Sequence, residues 1–164
     1  MSDIITKRLR LVPFTADMAR MTQHDRHDLS MSLGANIPDA WPAPDFTDVL
    51  PIFAARLTTS SDWSNWTRLI VLEAERTVIG DMGLHDWPDA NGDVELGYSI
   101  LPAYWNHGYA TEAARALCAW VLAQPTVKRI TAQCYVDNIG SRRVLEKIGM
   151  QPTAPEWYEL RTLP

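Results

Sequence analysis

The stretch ELGYSILPAYWNHGYATEAA, Glu95 to Ala114, brings together residue types that can hold a phosphate. Residues from Val94 to Leu101 read as a strand, and from Gly108 the period changes from two to that of a helix. A helix that follows a strand this closely presents unpaired backbone N–H groups and the positive end of its dipole at one spot. Phosphate groups bind well there. Gly108 would let the backbone approach a pyrophosphate, Ala110 keeps the opposite side of the loop small, and Thr111 can add a hydroxyl donor. A single glycine before a helix is also a common turn, so spacing alone leaves both readings open. Neither G-x-x-x-x-G-K-[ST] nor G-x-G-x-x-G occurs, so the P-loop and Rossmann readings lack their defining glycines.

The elements that must position this junction can be read on either side of it. Lys7 to Val12 predicts an opening strand, with a helix beginning near Ala16. Pro38, Pro42, Pro44 and Pro51 permit one helix near Phe46 to Leu57 and otherwise irregular chain between His24 and Ser64. Trp66 to Ala74 and Thr77 to Leu84 form a predicted hairpin around Glu75 and Arg76. The helix from Gly108 places Ala110, Ala113, Ala114, Leu117, Cys118, Val121 and Leu122 on one apolar face and stops at Pro125. Lys128 to Val136 is a further strand, and Asn138 is a good N-cap for a helix that ends at Gly149. Trp157 to Leu163 closes the order as a last strand.

The 164 residues suit one domain spanning residues 1–164, 46% hydrophobic with 21% charged residues fits an ordinary packed core, and the order of strands and helices reads as α/β (α+β). A net charge of -5 without a Lys/Arg run argues against nucleic acid as a partner, and mildly favours approach of cationic amines. The N-terminus MSDIITKRLRLV carries no apolar leader, and no run is long enough for a membrane span, so a cytoplasmic location is expected. Cys118 and Cys134 form no C-x-x-C and read as buried thiols, and nothing near His107 makes it a metal ligand; no metal is expected.

Taken together, the motifs resemble the GNAT acetyltransferases, in the branch related to ribosomal-protein N-terminal acetyltransferases. The pieces that carry the likeness are TKRLRLVPFTADMA, IGDMGLH, ELGYSILPAYW, HGYATEA and DNIGSRRVLEKIGM, in that order. The family signature [RQ]-x-x-G-x-[GA] matches from Trp105 to Ala110 except at its first position. Many members carry a tyrosine seven residues after the asparagine of the later motif, where this chain has Leu145. Ser141 stands at the position that closer relatives use.

The resemblance implies a mixed, mostly antiparallel sheet of about six or seven strands flanked by about four helices, with acetyl-CoA in the splay between the fourth and fifth strands. The pantetheine arm would pair with backbone of Tyr98, Ser99 and Ile100, and an N–H near Ile100 would polarise the thioester carbonyl. Amides of Asn106, His107, Gly108, Tyr109, Ala110 and Thr111 would wrap the pyrophosphate. Asn138 would hold the pantetheine end and Arg143 a CoA phosphate. The amine acceptor must lose a proton before it attacks, and Glu95 is the first choice of base, ahead of Asp93, Asp81 and His85. Ser141 is the candidate acid for the departing thiolate. A buried packing role is the default for the tryptophans, although Trp41, Trp63 or Trp87 could line the acceptor pocket. The acceptor could be a protein N-terminus or a small-molecule amine; a non-catalytic acyl-CoA-binding or sensing module is the alternative. The terminal strand could add to a neighbour's sheet in a homodimer.

Overall fold

The computed structural model describes residues 2–161, the side chains of Asp45 and Ser61 excepted. Its frame is an 8-stranded sheet in the order β1-β2-β3-β4-β5-β6-β8-β7. The strands are β1 (Ile4–Ile5), β2 (Leu9–Pro13), β3 (Thr67–Leu72), β4 (Thr77–Leu84), β5 (Asp93–Ile100), β6 (Arg129–Gln133), β7 (Gln151–Ala154) and β8 (Trp157–Arg161). Every neighbouring pair is antiparallel except β5 and β6, which run parallel. The helices are α1 (Ala16–His24), α2 (Arg26–Leu33), α3 (Pro44–Thr59), α4 (Tyr109–Leu122) and α5 (Ile139–Lys147).

Local chemistry accounts for most of these boundaries. The Thr15 hydroxyl accepts the Met18 N–H at 3.2 Å and starts α1. Asp25 caps α2 by accepting the Asp28 N–H, and Gly34 closes it in the left-handed conformation. Pro44 supplies the first turn of α3, where its missing N–H costs nothing. Asn138 accepts the Ser141 N–H at 3.0 Å and starts α5. Strands β3 and β4 are buried along their full length, as expected of the middle of a sheet covered on both faces.

Several expectations need correction. Among the described residues the sheet has two more short strands, β1 and β7, than the sequence pattern supplies. The segment between His24 and Ser64 is largely helical, not irregular: it contains α2 as well as α3, and a 3₁₀ turn follows at Ser61–Asn65. Its prolines sit at or before helix starts, except Pro51 inside α3. The last strand is described as far as Arg161, and residues 162 and 163, to which it was expected to extend, lie outside the described residues. Strand β8 has β6 on one side and β7 along Trp157, Tyr158 and Glu159 on the other, so the sheet's outer strand at this end is β7 and not the terminal strand.

The β3–β4 ladder carries a bulge: Ile70 faces Gly80 while Val71 faces Val78, which leaves Ile79 as the extra residue. The Ile79 carbonyl then accepts the Leu101 N–H at 2.8 Å and extends the β4–β5 ladder past Ile100. Gly80 beside the bulge has no room for a side chain, because a Cβ there would overlap the Ser99 carbonyl oxygen. Gly80→Ala should therefore destabilise the fold by about 2 kcal/mol, as overpacking against backbone does, measured by urea unfolding.

Candidate functional site

The parallel pair β5–β6 keeps register through Asp93↔Arg129, Val94↔Ile130 and Glu95↔Thr131, and then the two strands part. Thr131 Oγ1 donates to the Val94 carbonyl at 3.2 Å and ties the last shared rows. Beyond it the fork opens into a cavity of about 510 Å³, within the range of ligand pockets. Its lining includes Asp81, His85, Glu95, Tyr98, Ser99, Asn138 and Ser141, so seven of the candidate site residues named from sequence meet in one place.

Ladder parity decides which backbone groups of β5 face the fork. The Leu101-to-Ile79 and His85-to-Glu95 bonds make Gly80↔Ile100 and Leu84↔Leu96 non-hydrogen-bonded pairs. The N–H and C=O groups of Leu96, Tyr98 and Ile100 therefore point away from β4, toward the fork. Those of Ser99 are used by the ladder with Asp81, so Ser99 cannot pair with a ligand by its backbone as expected. The Ser99 hydroxyl instead donates to Asp81 Oδ2 at 3.1 Å.

Side chains on the two faces of β5 make two different half-sites. Glu95, Gly97 and Ser99 share a face with Asp81, Trp41 and α3. Trp41 is fully buried and donates from Nε1 to the same Asp81 Oδ2 at 2.9 Å. His85 Nδ1 lies 3.2 Å from Glu95 Oε1, and its ring occupies the space a Cβ at Gly97 would need. Arg56 of α3 reaches the His85 carbonyl and lies 3.4 Å from Asp86. Phe46, Val49, Ile52 and Phe53 of α3 complete this wall. Trp63 is buried against Trp87, and none of Trp41, Trp63 and Trp87 lines the cavity, so the acceptor-pocket expectation for them is not met; Phe46 and Phe53 stand there.

On the opposite face, toward α4 and α5, the Tyr98 hydroxyl and Ser141 Oγ lie 2.7 Å apart. Burial pushes the Tyr98 phenol up to about 12, against the smaller opposing effect of its bond to Ser141. Leu145, at the position where the family pattern has a tyrosine, is buried one turn further along α5 and lines the cavity floor.

The loop before α4 is built for exposed amides. Asn106 and Gly108 both take positive φ, +64° and +79°. The α4 ladder begins with Glu112 N–H to the Gly108 carbonyl at 3.1 Å, so helix geometry leaves the amides of Tyr109, Ala110 and Thr111 without an intrahelical acceptor. No side chain caps the helix from position 108. Trp105 folds back, its Nε1 donating to the Ile100 carbonyl at 2.6 Å. The His107 ring bonds the Trp105 carbonyl at 2.7 Å and stacks on Tyr109, so it supports its own loop.

A shallow depression beside Gly108 and Thr111 is lined by Arg8, Arg115 and Lys147. Arg8 lies over the Tyr109 ring at 4.4 Å, donates to the His107 carbonyl and pairs with Glu112 at 2.7 Å. Burial raises the Glu112 carboxyl, but bonds from Thr6 and Arg8 outweigh it and hold the group below its ordinary range. Sequence reasoning missed these cations, because Arg8 stands in β2's approach, about a hundred residues before Gly108, and nothing local marks it. Arg143 is exposed on α5, one turn before Lys147, and lines neither concavity.

A family model described as an acetyltransferase (GNAT) domain matches residues 8–151. The chain belongs to the GNAT acetyltransferases. Over 145 residues it is 32% identical to the uncharacterized N-acetyltransferase YjdG of Bacillus subtilis strain 168, covering 88% of this chain and 86% of that one. Among solved structures, the ribosomal-protein-S5-alanine acetyltransferase of Vibrio fischeri superposes with a TM-score of 0.66 at 16% identity, over 98% of this chain and 97% of that one. RimL, a ribosomal L7/L12 alpha-N-protein acetyltransferase solved in complex with coenzyme A, superposes with a TM-score of 0.65 at 13% identity over 98% of both chains. At such identities these two structures share the fold with this GNAT chain. No helix among the described residues is long and apolar enough to cross a membrane.

Gly108 has open space around it, with Arg8 Nη2 at 3.6 Å from where a Cβ would sit, so its constraint is the backbone conformation and the approach of a ligand. Gly108→Trp in this GNAT chain should weaken acetyl-CoA binding at least tenfold, about 1.4 kcal/mol, by titration calorimetry. Unchanged affinity in a folded variant would put the phosphates elsewhere.

Proposed function

We propose that the chain acts as a one-domain N-acetyltransferase, moving the acetyl group of acetyl-CoA onto a primary amine by direct attack on the thioester. The observation that carries this reading is the fork after Glu95 and Thr131, which turns the amides of Leu96 and Tyr98 into a cavity holding a carboxylate on one face and a hydroxyl pair on the other, with the Ile100 N–H on the same strand edge. Acetyl-CoA fits what is present. Its amide-bearing pantetheine arm can take the place of a strand along β5, with Asn138 beside it. The amides from Asn106 to Thr111 would receive the pyrophosphate, with Arg8, Arg115 and Lys147 nearby and Arg143 one turn before Lys147 on α5.

In this reading the Ile100 N–H polarises the thioester carbonyl, and Glu95, with His85 against it, accepts the proton that the acceptor must shed. An α-amine titrates at about 7.7–8.0 and a lysine-type amine at about 10.4, so the former exposes its lone pair at much lower cost near neutral pH. That difference favours a protein or peptide N-terminus as the acceptor class. The ribosomal-protein substrates in the names of RimL and the Vibrio fischeri enzyme support the same choice. The acceptor approaches from the α3 side, where Phe46 and Phe53 flank Asp81 and Glu95.

The experiment is a thiol-release assay with acetyl-CoA and a panel of peptide N-termini, amino acids, polyamines and aminated antibiotics. Release with at least one amine is expected; tight acetyl-CoA binding with no release across the panel would favour the non-catalytic module that Leu145 suggests. Glu95→Gln should flatten the acidic limb of the kcat/KM profile, measured with an amine whose own pKa lies well above the assay range. A wild-type profile in that variant would remove Glu95 as the base. Phe53→Ala should raise the acceptor KM several-fold while leaving acetyl-CoA affinity nearly unaltered. If it abolishes acetyl-CoA binding instead, with the fold intact, the two sides of the cavity are reversed.

A further inference from the structure

The hydrogen bond between Tyr98 and Ser141 joins residues 43 positions apart, across the gap between β5 and α5, and both side chains line the cavity. The Asn138 side chain holds the Ser141 N–H, so the backbone beneath Ser141 Oγ is fixed and only its hydroxyl hydrogen is free to choose a direction. In a phenol–alcohol pair the phenol is by far the stronger acid, with an ordinary pKa of about 10, whereas an alcohol stays protonated throughout the working range. The phenol is thus the better donor and the serine oxygen the better acceptor. Once Tyr98 donates to Ser141 Oγ, the serine hydrogen must point elsewhere, and the cavity that Ser141 lines is open to it.

We propose that Tyr98 is a positioning residue that donates to Ser141 and aims the serine hydroxyl at the sulfur of coenzyme A. The inference rests on the acetyl-transfer reading of the same cavity. As the C–N bond forms and the C–S bond breaks, the electron pair of the broken bond goes to sulfur. Ser141 meets the new thiolate with a hydrogen bond that is strengthened by the one it receives from Tyr98. The phenol keeps its proton, because burial holds it near 12 while a coenzyme A thiol resembles a free cysteine at about 8.5. The proton that ends on sulfur is one of the two lost when an ammonium group becomes an amide, and the other leaves through Glu95 to solvent. The pair therefore places a phenol beside the leaving sulfur from the strand side, in a chain whose α5 has Leu145 where the family pattern has a tyrosine.

Other titratable groups around the pair are Cys134 and Tyr135 at the end of β6, Cys118 on α4, Glu95 on β5, Asp81 on β4 and His85 after it. Burial pushes the Cys118 thiol up to about 12, so it stays neutral beside the phenol. A titration of bound coenzyme A must be read by a signal of its own thiolate rather than by activity alone.

The test is the pKa of the coenzyme A thiol on the protein, followed by thiolate ultraviolet absorbance against pH and corrected with desulfo-coenzyme A. It is measured in the wild type, Tyr98→Phe, Ser141→Ala and the double variant. Tyr98→Phe should leave coenzyme A affinity unchanged and reduce the thiolate fraction below the pKa by about three- to tenfold. Ser141→Ala should reduce it at least as much, and adding Tyr98→Phe to it should change nothing further. In thiol-release assays Tyr98→Phe should lower kcat by about tenfold with the acetyl-CoA KM unaltered. A wild-type thiol pKa in Tyr98→Phe, or effects of the two substitutions that add independently, would overturn the proposal. So would loss of coenzyme A binding in folded Tyr98→Phe, which would make the phenol structural. Failure of the acetyl-transfer reading looks different: the wild type binds coenzyme A with the thiol titration as described yet releases no thiol with any amine. Absence of coenzyme A binding in the wild type would overturn both.

Discussion

Everything at the site depends on β5 and β6 staying paired at one end and apart at the other. The closed end is clamped by Arg129 of β6, which bonds Asp93 of β5 through Nε at 2.9 Å and Glu159 of β8 at 3.1 Å. One guanidinium thus ties three strands at the root of the fork, using the planar geometry that suits arginine to carboxylates. Its pKa is raised, first by the bonds to Asp93. Two rows later the strands diverge, and the space between them is bounded by α5, whose Ser141 meets Tyr98. A sheet that closed fully would have a stronger ladder and no cavity; here the missing rungs of hydrogen bonding are offered to a ligand.

The acceptor-side face is organised by a different constraint. Asp81 is buried on β4, and its Oδ2 accepts from both Trp41 and Ser99. A carboxylate in that position needs such donors to offset its lost hydration. In supplying one, Trp41 fixes the chain just before α3 against the sheet, and Phe46 packs on its ring at 6.0 Å. The same bond set therefore determines where the apolar wall of α3 stands relative to Glu95 and His85. Packing and chemistry are not separable at this corner of the molecule.

Much of this frame was legible in the sequence. The strand, turn and helix from Glu95 to Ala114 declared itself because its signals are local: alternation, a glycine, then a helical period. Asn138 likewise announced the start of α5. Helix α2 did not, since RHDLSMSL buries only Leu29 and Leu33 and owes its ends to Asp25 and Gly34 rather than to an apolar stripe. Strand β7 was invisible because Gln151–Ala154 is exposed throughout and has no inward face to pattern. At the site, residue types were readable but partnerships were not. Tyr98 with Ser141, Trp41 with Asp81, and Arg8 with the loop at Gly108 join positions far apart in the chain, and only the fold brings them together. Ser99 shows a subtler limit: strand periodicity assigns side chains to faces, whereas the direction of its amide depends on the register with β4.

The two ends of the sheet carry a consequence beyond catalysis. One outer strand, β1, has two residues, and the other, β7, has four, includes Pro152 and presents no buried side chain. A stacking chain would find few unpaired backbone groups on either border, and proline removes a donor from one of them. The long hydrophobic strands β3 and β4 are held in the middle, away from both borders. Aggregation by edge-to-edge strand addition therefore has little to build on while the native sheet is intact. In crowded or concentrated conditions, the chain's colloidal behaviour should depend on how often the interior strands become exposed rather than on its native surface.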